Sequence, residues 1–115
     1  MAATPAAPAP ELKLNTEKSP AQTIVHVSGR VTARSAELLL NTVRPLIPET
    51  KRLLLDLSHL EYLDSSGLGT VVRLWMTSKK ANCELKVINL SPRIKDLFTL
   101  TNISSIFEGV EHAGM

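Results

Sequence analysis

Aromatic side chains are scarce: one Trp, one Tyr and two Phe among 115 residues, 3% of the chain. That argues against the stacking platforms with which proteins hold single-stranded nucleic acid. Cysteine is scarcer still. Cys83 stands alone, so neither an intramolecular disulfide nor a cysteine-based zinc cage can form. No apolar run approaches the ~20 residues that a membrane-spanning helix needs. Residues 1–10, MAATPAAPAP, lack the basic start and continuous apolar core of a signal peptide, and their aperiodic Ala and Pro predict a disordered tail. A cytoplasmic protein is expected on these grounds. Charge of one sign is missing too: 13 Lys and Arg stand against 11 Asp and Glu, a net +2 that implies no polyanionic partner. Neither nucleic acid nor a membrane is expected to bind.

What remains is an ordinary globular composition, 43% hydrophobic and 21% charged, in a length that suits one domain. Leu12, Leu14 and Thr16 alternate with Lys13, Asn15 and Glu17, the period-two pattern of a half-exposed strand. A turn around Pro20 leads to β-branched Thr23–Val27, so the two segments predict an antiparallel hairpin. Within it His26 reads as a partly buried polar side chain. Gly29–Arg34 is expected as a connector. Ala36, Leu39, Leu40, Val43, Leu46 and Ile47 then fall at near-helical spacing, with Pro45 ending or kinking that helix. The continuous apolar run in Arg52–Leu57 fits a central strand covered on both faces. Leu68, Val71, Val72, Trp75 and Met76 predict one buried stripe on a helix running to about Lys80 and ending at Ala81-Asn82. Leu85–Leu90 predicts a strand, Ser91-Pro92 a helix start, and Ile106-Phe107 a short last strand. The expected fold is α/β: one domain over 11–111, with a mixed, mainly parallel sheet of four to five strands, an N-terminal hairpin and packed helices. Residues 112–115 form an expected C-terminal tail.

Between the central strand and the second helix stands Asp64-Ser65-Ser66-Gly67-Leu68-Gly69. The carboxyl end of a strand facing a helix N-terminus is the usual functional place in such folds, and unpaired amides there favour negative charge. Asp64 or Ser65 as a helix cap is the plain structural reading, worth ~1 kcal/mol. Capping does not account for Gly67 and Gly69, each costing ~1 kcal/mol relative to Ala inside a helix. Close helix–sheet approach and a bare surface for another protein explain them equally well. A nucleophile elbow needs G-x-S-x-G, which is absent, and His59 is not obviously placed as a base for Ser65. A serine hydrolase is therefore a remote alternative. A nucleotide-binding module is another, although both glycine-rich phosphate fingerprints are missing. Asp56, Glu61 and Asp64 show no recognised metal-ligand spacing, and no cofactor is expected.

Asp56-Leu57-Ser58 followed by Tyr62-Leu63-Asp64-Ser65-Ser66-Gly67-Leu68-Gly69 resembles the signature of STAS domains, specifically the bacterial anti-sigma factor antagonists. The resemblance continues through Ile88-Asn89-Leu90-Ser91-Pro92, Leu97-Phe98 and Ile103, covering roughly Leu12 to Val110. It implies a non-enzymatic binding protein whose Ser65 accepts a phosphoryl group. By the same resemblance the unphosphorylated form binds an anti-sigma factor that is also a serine kinase, freeing a sigma factor, and a serine phosphatase resets the system. The implied contact surface takes in Asp64, Ser66, Gly67, Leu68, Arg30, Thr32 and Asp56, with Asp64 helping to position the Ser65 hydroxyl. Where the family carries Gly-x-Leu-Asp, this chain has Gly29-Arg30-Val31-Thr32, which removes expected negative charge. Little room remains before Met115 for the final helix many members carry. Within the family, the alternative role is a scaffold subunit of a stress-sensing or lipid-transport complex. Nothing in the sequence speaks for or against self-association.

Overall fold

The computed structural model describes residues 11–100. The expected tails and the expected strand at Ile106-Phe107 lie outside the described residues. Strand β1 (Leu12–Lys18) turns back into β2 (Thr23–Val31) as an antiparallel hairpin, with Leu14 opposite Val27 and Lys18 opposite Thr23. Helix α1 (Ala36–Val43) continues into a 3-10 helix over Arg44–Glu49, where Pro45 ends the α-helical pattern. Strand β3 (Arg52–Leu63) runs parallel to β2 and to β4 (Glu84–Ile88), giving a four-stranded sheet in the order β1-β2-β3-β4. Helices α2 (Ser65–Lys80) and α3 (Pro92–Leu100) follow β3 and β4.

One apolar cluster joins the sheet to the helices. Val25, Val27, Leu53, Leu55, Leu85 and Val87 meet Leu39, Val43, Leu68, Val71, Leu74, Ile94 and Phe98. Alternation then puts His26 and Asp56, paired in register, on the opposite face of the sheet.

Three element ends depart from the sequence reading. β2 takes in Gly29-Arg30-Val31, expected as a connector, because β3 continues to Leu63 and supplies it with a partner: Arg30 pairs with Tyr62 and Val31 with Leu63. β3 outruns its expected end at Leu57 through two irregularities in its register with β2. These let Leu57, Leu60 and Leu63 all reach the core without strict alternation. β4 stops at Ile88 because Asn89 takes φ 58°, a left-handed conformation that asparagine tolerates and strands do not.

The buried face of α2 is also rotated from the expected stripe. Gly67, Leu68, Thr70, Val71, Leu74 and Ser78 face inward, whereas Met76 is 51% exposed. The small residues set this rotation, since Gly67 lets the helix sit close to the sheet. The buried Thr70 and Ser78 hydroxyls donate to the carbonyls of Ser66 and Trp75, so neither is left unsatisfied. Trp75 lies half-buried at the margin of the core, with the Lys79 ammonium 4.6 Å from its ring centroid. The helix ends as expected. Asn82 at φ 58° turns the chain, with Asn82 N–H on the Lys79 carbonyl and Cys83 N–H on that of Ser78, the paired bonds of a Schellman motif. Ser91 caps α3 by accepting from Ile94 N–H at 3.3 Å.

Candidate functional site

Helix α2 begins where β3 ends, and Asp64 makes the join. Its backbone is extended, its N–H donates to the Val31 carbonyl at 3.1 Å, and its carbonyl accepts from Leu68 N–H at 2.9 Å. One carboxylate oxygen accepts from Gly67 N–H at 3.0 Å, the expected cap. The other accepts from Ala33 N–H at 3.3 Å, which ties the β2–α1 loop to the helix start. Both oxygens are thus engaged by backbone. Asp64 acts on Ser65 by fixing the backbone around it; no hydrogen bond joins its carboxylate to the serine hydroxyl.

Ser65 and Ser66 occupy the first turn, and both are exposed. Neither hydroxyl makes a hydrogen bond among the described residues. Each is a free acceptor and donor beside the positive end of a helix dipole, where added negative charge is tolerated. The two glycines separate into different roles. A Cβ on Gly67 would meet the Leu63 side chain and lie 2.8 Å from Val31 Cγ1, so this glycine serves packing. A Cβ on Gly69 would meet nothing within 4 Å, and Gly69 is exposed. Gly67 and Leu68 are buried, so the outer face of this turn is made by Ser65, Ser66 and Gly69.

Arg30 and Thr32 reach the same end of the sheet. Arg30 is exposed, its guanidinium 5.1 Å from the centroid of the Tyr62 ring. The Thr32 hydroxyl donates to the Glu11 carboxylate at 2.8 Å and accepts from Arg34 N–H. Glu11 escaped the sequence reading, yet it brings a carboxylate to the position where Thr32 had seemed to remove one. Hydrogen bonding by the Ser35 and Thr32 hydroxyls holds the Glu11 carboxyl below its ordinary range, partly opposed by desolvation and aided by Arg30 and Arg34. Its placement depends on Gly29. That residue adopts φ 102°, its Cβ-free surface lies against the Glu11 carbonyl, and the next N–H, of Arg30, donates to that carbonyl at 2.9 Å. A lone glycine inside a strand pattern was the available signal.

Asp56 is not brought to Ser65. It lies seven residues before the end of β3, about 20 Å back along the strand. There it accepts from Asn89 Nδ2 and Ser58 N–H, both at 3.0 Å, and contacts His26 Nδ1 at 2.7 Å. Desolvation of the half-buried carboxyl raises its pKa. The bonds from Asn89, Ser58 and His26 together outweigh that effect and hold it at about 2. The other nitrogen of His26 lies 2.5 Å from Glu17 Oε1. Hydrogen bonds first to Glu17 and then to Asp56 raise the His26 pKa, against a smaller desolvation effect. His26 is therefore a bridge across β1, β2 and β3 rather than an isolated polar side chain.

The second histidine among the described residues, His59, contacts the Ser58 hydroxyl at 3.1 Å. No described histidine is hydrogen-bonded to Ser65, and the described residues hold no group of three metal-ligating side chains. Among the described residues, no helix is long and apolar enough to cross a membrane.

A family model described as "Mlab, STAS domain" matches residues 14–108. The anti-sigma-B factor antagonist of Bacillus subtilis is 33% identical over 84 residues, covering 73% of this chain and 77% of that protein. Two solved structures share the fold. An anti-sigma factor antagonist from Mycobacterium paratuberculosis superposes with a TM-score of 0.75 at 23% identity, covering 84% of this chain and 82% of that one. The Bacillus cell fate determinant SpoIIAA in its phosphorylated form gives 0.65 at 16% identity, covering 81% and 86%.

Proposed function

Because this chain belongs to the STAS domain family, we propose that it is an anti-sigma factor antagonist, a binding protein that uses Ser65 as its switch. The single observation that carries the reading is the Ser65 hydroxyl itself. It is exposed, unbonded and presented on a helix start that Asp64 fixes from two sides. Unphosphorylated, the surface of Ser65, Ser66 and Gly69 binds an anti-sigma factor that is also a serine kinase. The kinase transfers the terminal phosphoryl group of ATP to the Ser65 oxygen, ADP leaves with the kinase, and a serine phosphatase later returns the hydroxyl by hydrolysis. The chain supplies an acceptor and no catalytic group of its own.

The physics of release is local. Phosphorylation adds about −1.5 to −2 charges and strong acceptor oxygens. At the α2 N-terminus the fold accommodates that charge, and the fold shared with SpoIIAA exists in a phosphorylated form. Against a partner surface shaped for a neutral hydroxyl, the same charge brings repulsion and desolvation. Release therefore leaves the fold unchanged, and Ser65→Ala and Ser65→Asp should unfold at nearly the same denaturant concentration.

A pull-down from native lysate with Ser65→Ala and Ser65→Asp as baits, with ATP or ADP added, tests the reading. The alanine form should retain an ATP-binding anti-sigma kinase that the aspartate form loses. Equal capture by both baits, or capture of transporter and scaffold proteins alone, would move the chain to the family's scaffold role.

A further inference from the structure

Strand β1 is one edge of the sheet, and among the described residues nothing pairs with its outer side. The two ends of the hairpin fix which way its backbone points: Arg30 N–H donates to the Glu11 carbonyl and Ser19 N–H to that of Gln22, both at 2.9 Å. Bonded pairs in an antiparallel ladder recur at every second residue, so Lys13, Asn15 and Glu17 turn their N–H and C=O groups toward β2. Those of Leu12, Leu14, Thr16 and Lys18 point outward, a row of donors and acceptors that can template a further strand. The side chains alternate as well. Lys13, Asn15 and Glu17 share the face that carries His26, while Leu12 and Leu14 face the core. Lys13 is exposed and in no ion pair among the described residues. Glu17 is exposed and gives Oε1 to His26 Nε2, which leaves its second oxygen for another donor.

We propose that β1 pairs antiparallel with β1 of a second copy of this chain, in the register centred on Asn15, and joins the two sheets into one. The outward groups meet only if each even-numbered residue faces an even-numbered one, so the two-fold axis falls on a residue rather than between two. Centred on Lys13 or on Glu17, like charges stand opposite each other. Centred on Leu14 or Thr16, an asparagine faces the lysine or the glutamate. Centred on Asn15, Lys13 faces the partner's Glu17, and Glu17 faces the partner's Lys13. These are the positions without backbone bonds, where opposed side chains come closest. The same register overlaps all seven residues of Leu12–Lys18, so the longest pairing is also the one that matches charge. A lysine on an edge strand ordinarily keeps other chains away; here each is met by a carboxylate. Pairing of this kind keeps the helices of both copies on one face. Through Val31, which accepts from Asp64 N–H, the Ser65 turn lies at the Glu11 end of β1. The reversed strand therefore sends the two Ser65 turns to opposite ends of the joined sheet, and both stay accessible. The pairing makes the chain a two-headed binder whatever the role of Ser65.

The test is sedimentation equilibrium of the full chain over a concentration series reaching ~1 mM, where even weak pairing registers, with amide spectra to check folding. The parent chain should form a dimer. K13E gathers only carboxylates at the junction and should weaken self-association by at least about tenfold; E17K gathers only ammonium groups and should do the same. An equimolar mixture of the two variants restores both opposite-charge pairs and should associate like the parent chain. Thr16→Pro removes an outward donor, spares the ladder to β2, and should leave a monomer. A parent chain that stays monomeric throughout, a K13E variant that associates undiminished, or a mixture of folded K13E and E17K that fails to associate would overturn the proposal. The assay holds neither ATP nor a kinase, so its failure and a failure of the phosphorylation switch are read separately.

Discussion

Gly67 lies directly against Val31: a Cβ at position 67 would stand 2.8 Å from Val31 Cγ1 and 2.9 Å from its carbonyl oxygen. Helix α2 therefore rests on β2 at the turn that presents Ser65, and the height of that turn is set by a missing side chain. Gly67→Ala should destabilise the domain by ~1–3 kcal/mol through overpacking. Gly69→Ala, with open space around it, should stabilise the helix by up to ~1 kcal/mol. Urea unfolding of the two variants checks this, and equal effects would show that the two glycines do not differ in role.

Asp64 holds two amides with one carboxylate, and the two can be separated. Asp64→Ala should cost ~1–2 kcal/mol, a lost cap together with an unpaired Ala33 amide. Asp64→Ser restores a capping oxygen but supplies only one. It should recover most of the stability while hydrogen exchange at Ala33 stays faster than in the parent chain. Parent-like exchange at Ala33 in the serine variant would show that the second oxygen does not hold the loop.

The bridge from Glu17 through His26 to Asp56 gives stability two pH limbs. His26 has its pKa raised in the folded state, so its contribution is complete below its unfolded value of 6.5 and is lost as pH rises through the folded value. Asp56 is lowered from 3.8 to about 2, so its contribution is present above pH 3.8 and is lost as pH falls toward 2. Its size is at most about 2.5 kcal/mol. Unfolding free energy should therefore be greatest between roughly pH 4 and 6.5. His26→Gln should flatten the alkaline limb. Asp56→Asn should flatten the acid limb and also lower the His26 pKa. Unchanged pH profiles in both variants would refute the bridge.

Much of this was legible in the sequence, for identifiable reasons. The hairpin showed itself because β1 is half-exposed and alternates, and α2 because its start carries a cap and its end an asparagine that turns left-handed. The extension of β3 to Leu63 was hidden because its register irregularities break the period-two pattern, leaving Leu57, Leu60 and Leu63 three apart. The inward turn of α2 was misplaced because Gly67, Thr70 and Ser78 bury as small or back-bonded residues, which an apolar count does not register. At the start of α2, the Asp64 cap was legible from the motif. Glu11 was not, because its carboxylate meets Thr32 only through the approach of β1 to β2 at Gly29. Asp56 was placed on the contact surface by the family resemblance alone; in the fold it pairs with His26 in mid-sheet, seven residues before the end of β3, because an extended strand carries neighbours in sequence far apart.

The central claim is that a phosphoryl group on Ser65 ends partner binding without altering the fold. Its most direct test is the affinity of the captured anti-sigma kinase for the chain before and after stoichiometric phosphorylation at Ser65, with the amide spectrum recorded for both forms. The account predicts at least about a 100-fold loss of affinity, with shifts confined to the α2 start and the β2–α1 loop. Undiminished affinity, or a spectrum showing that the domain has unfolded, would contradict it.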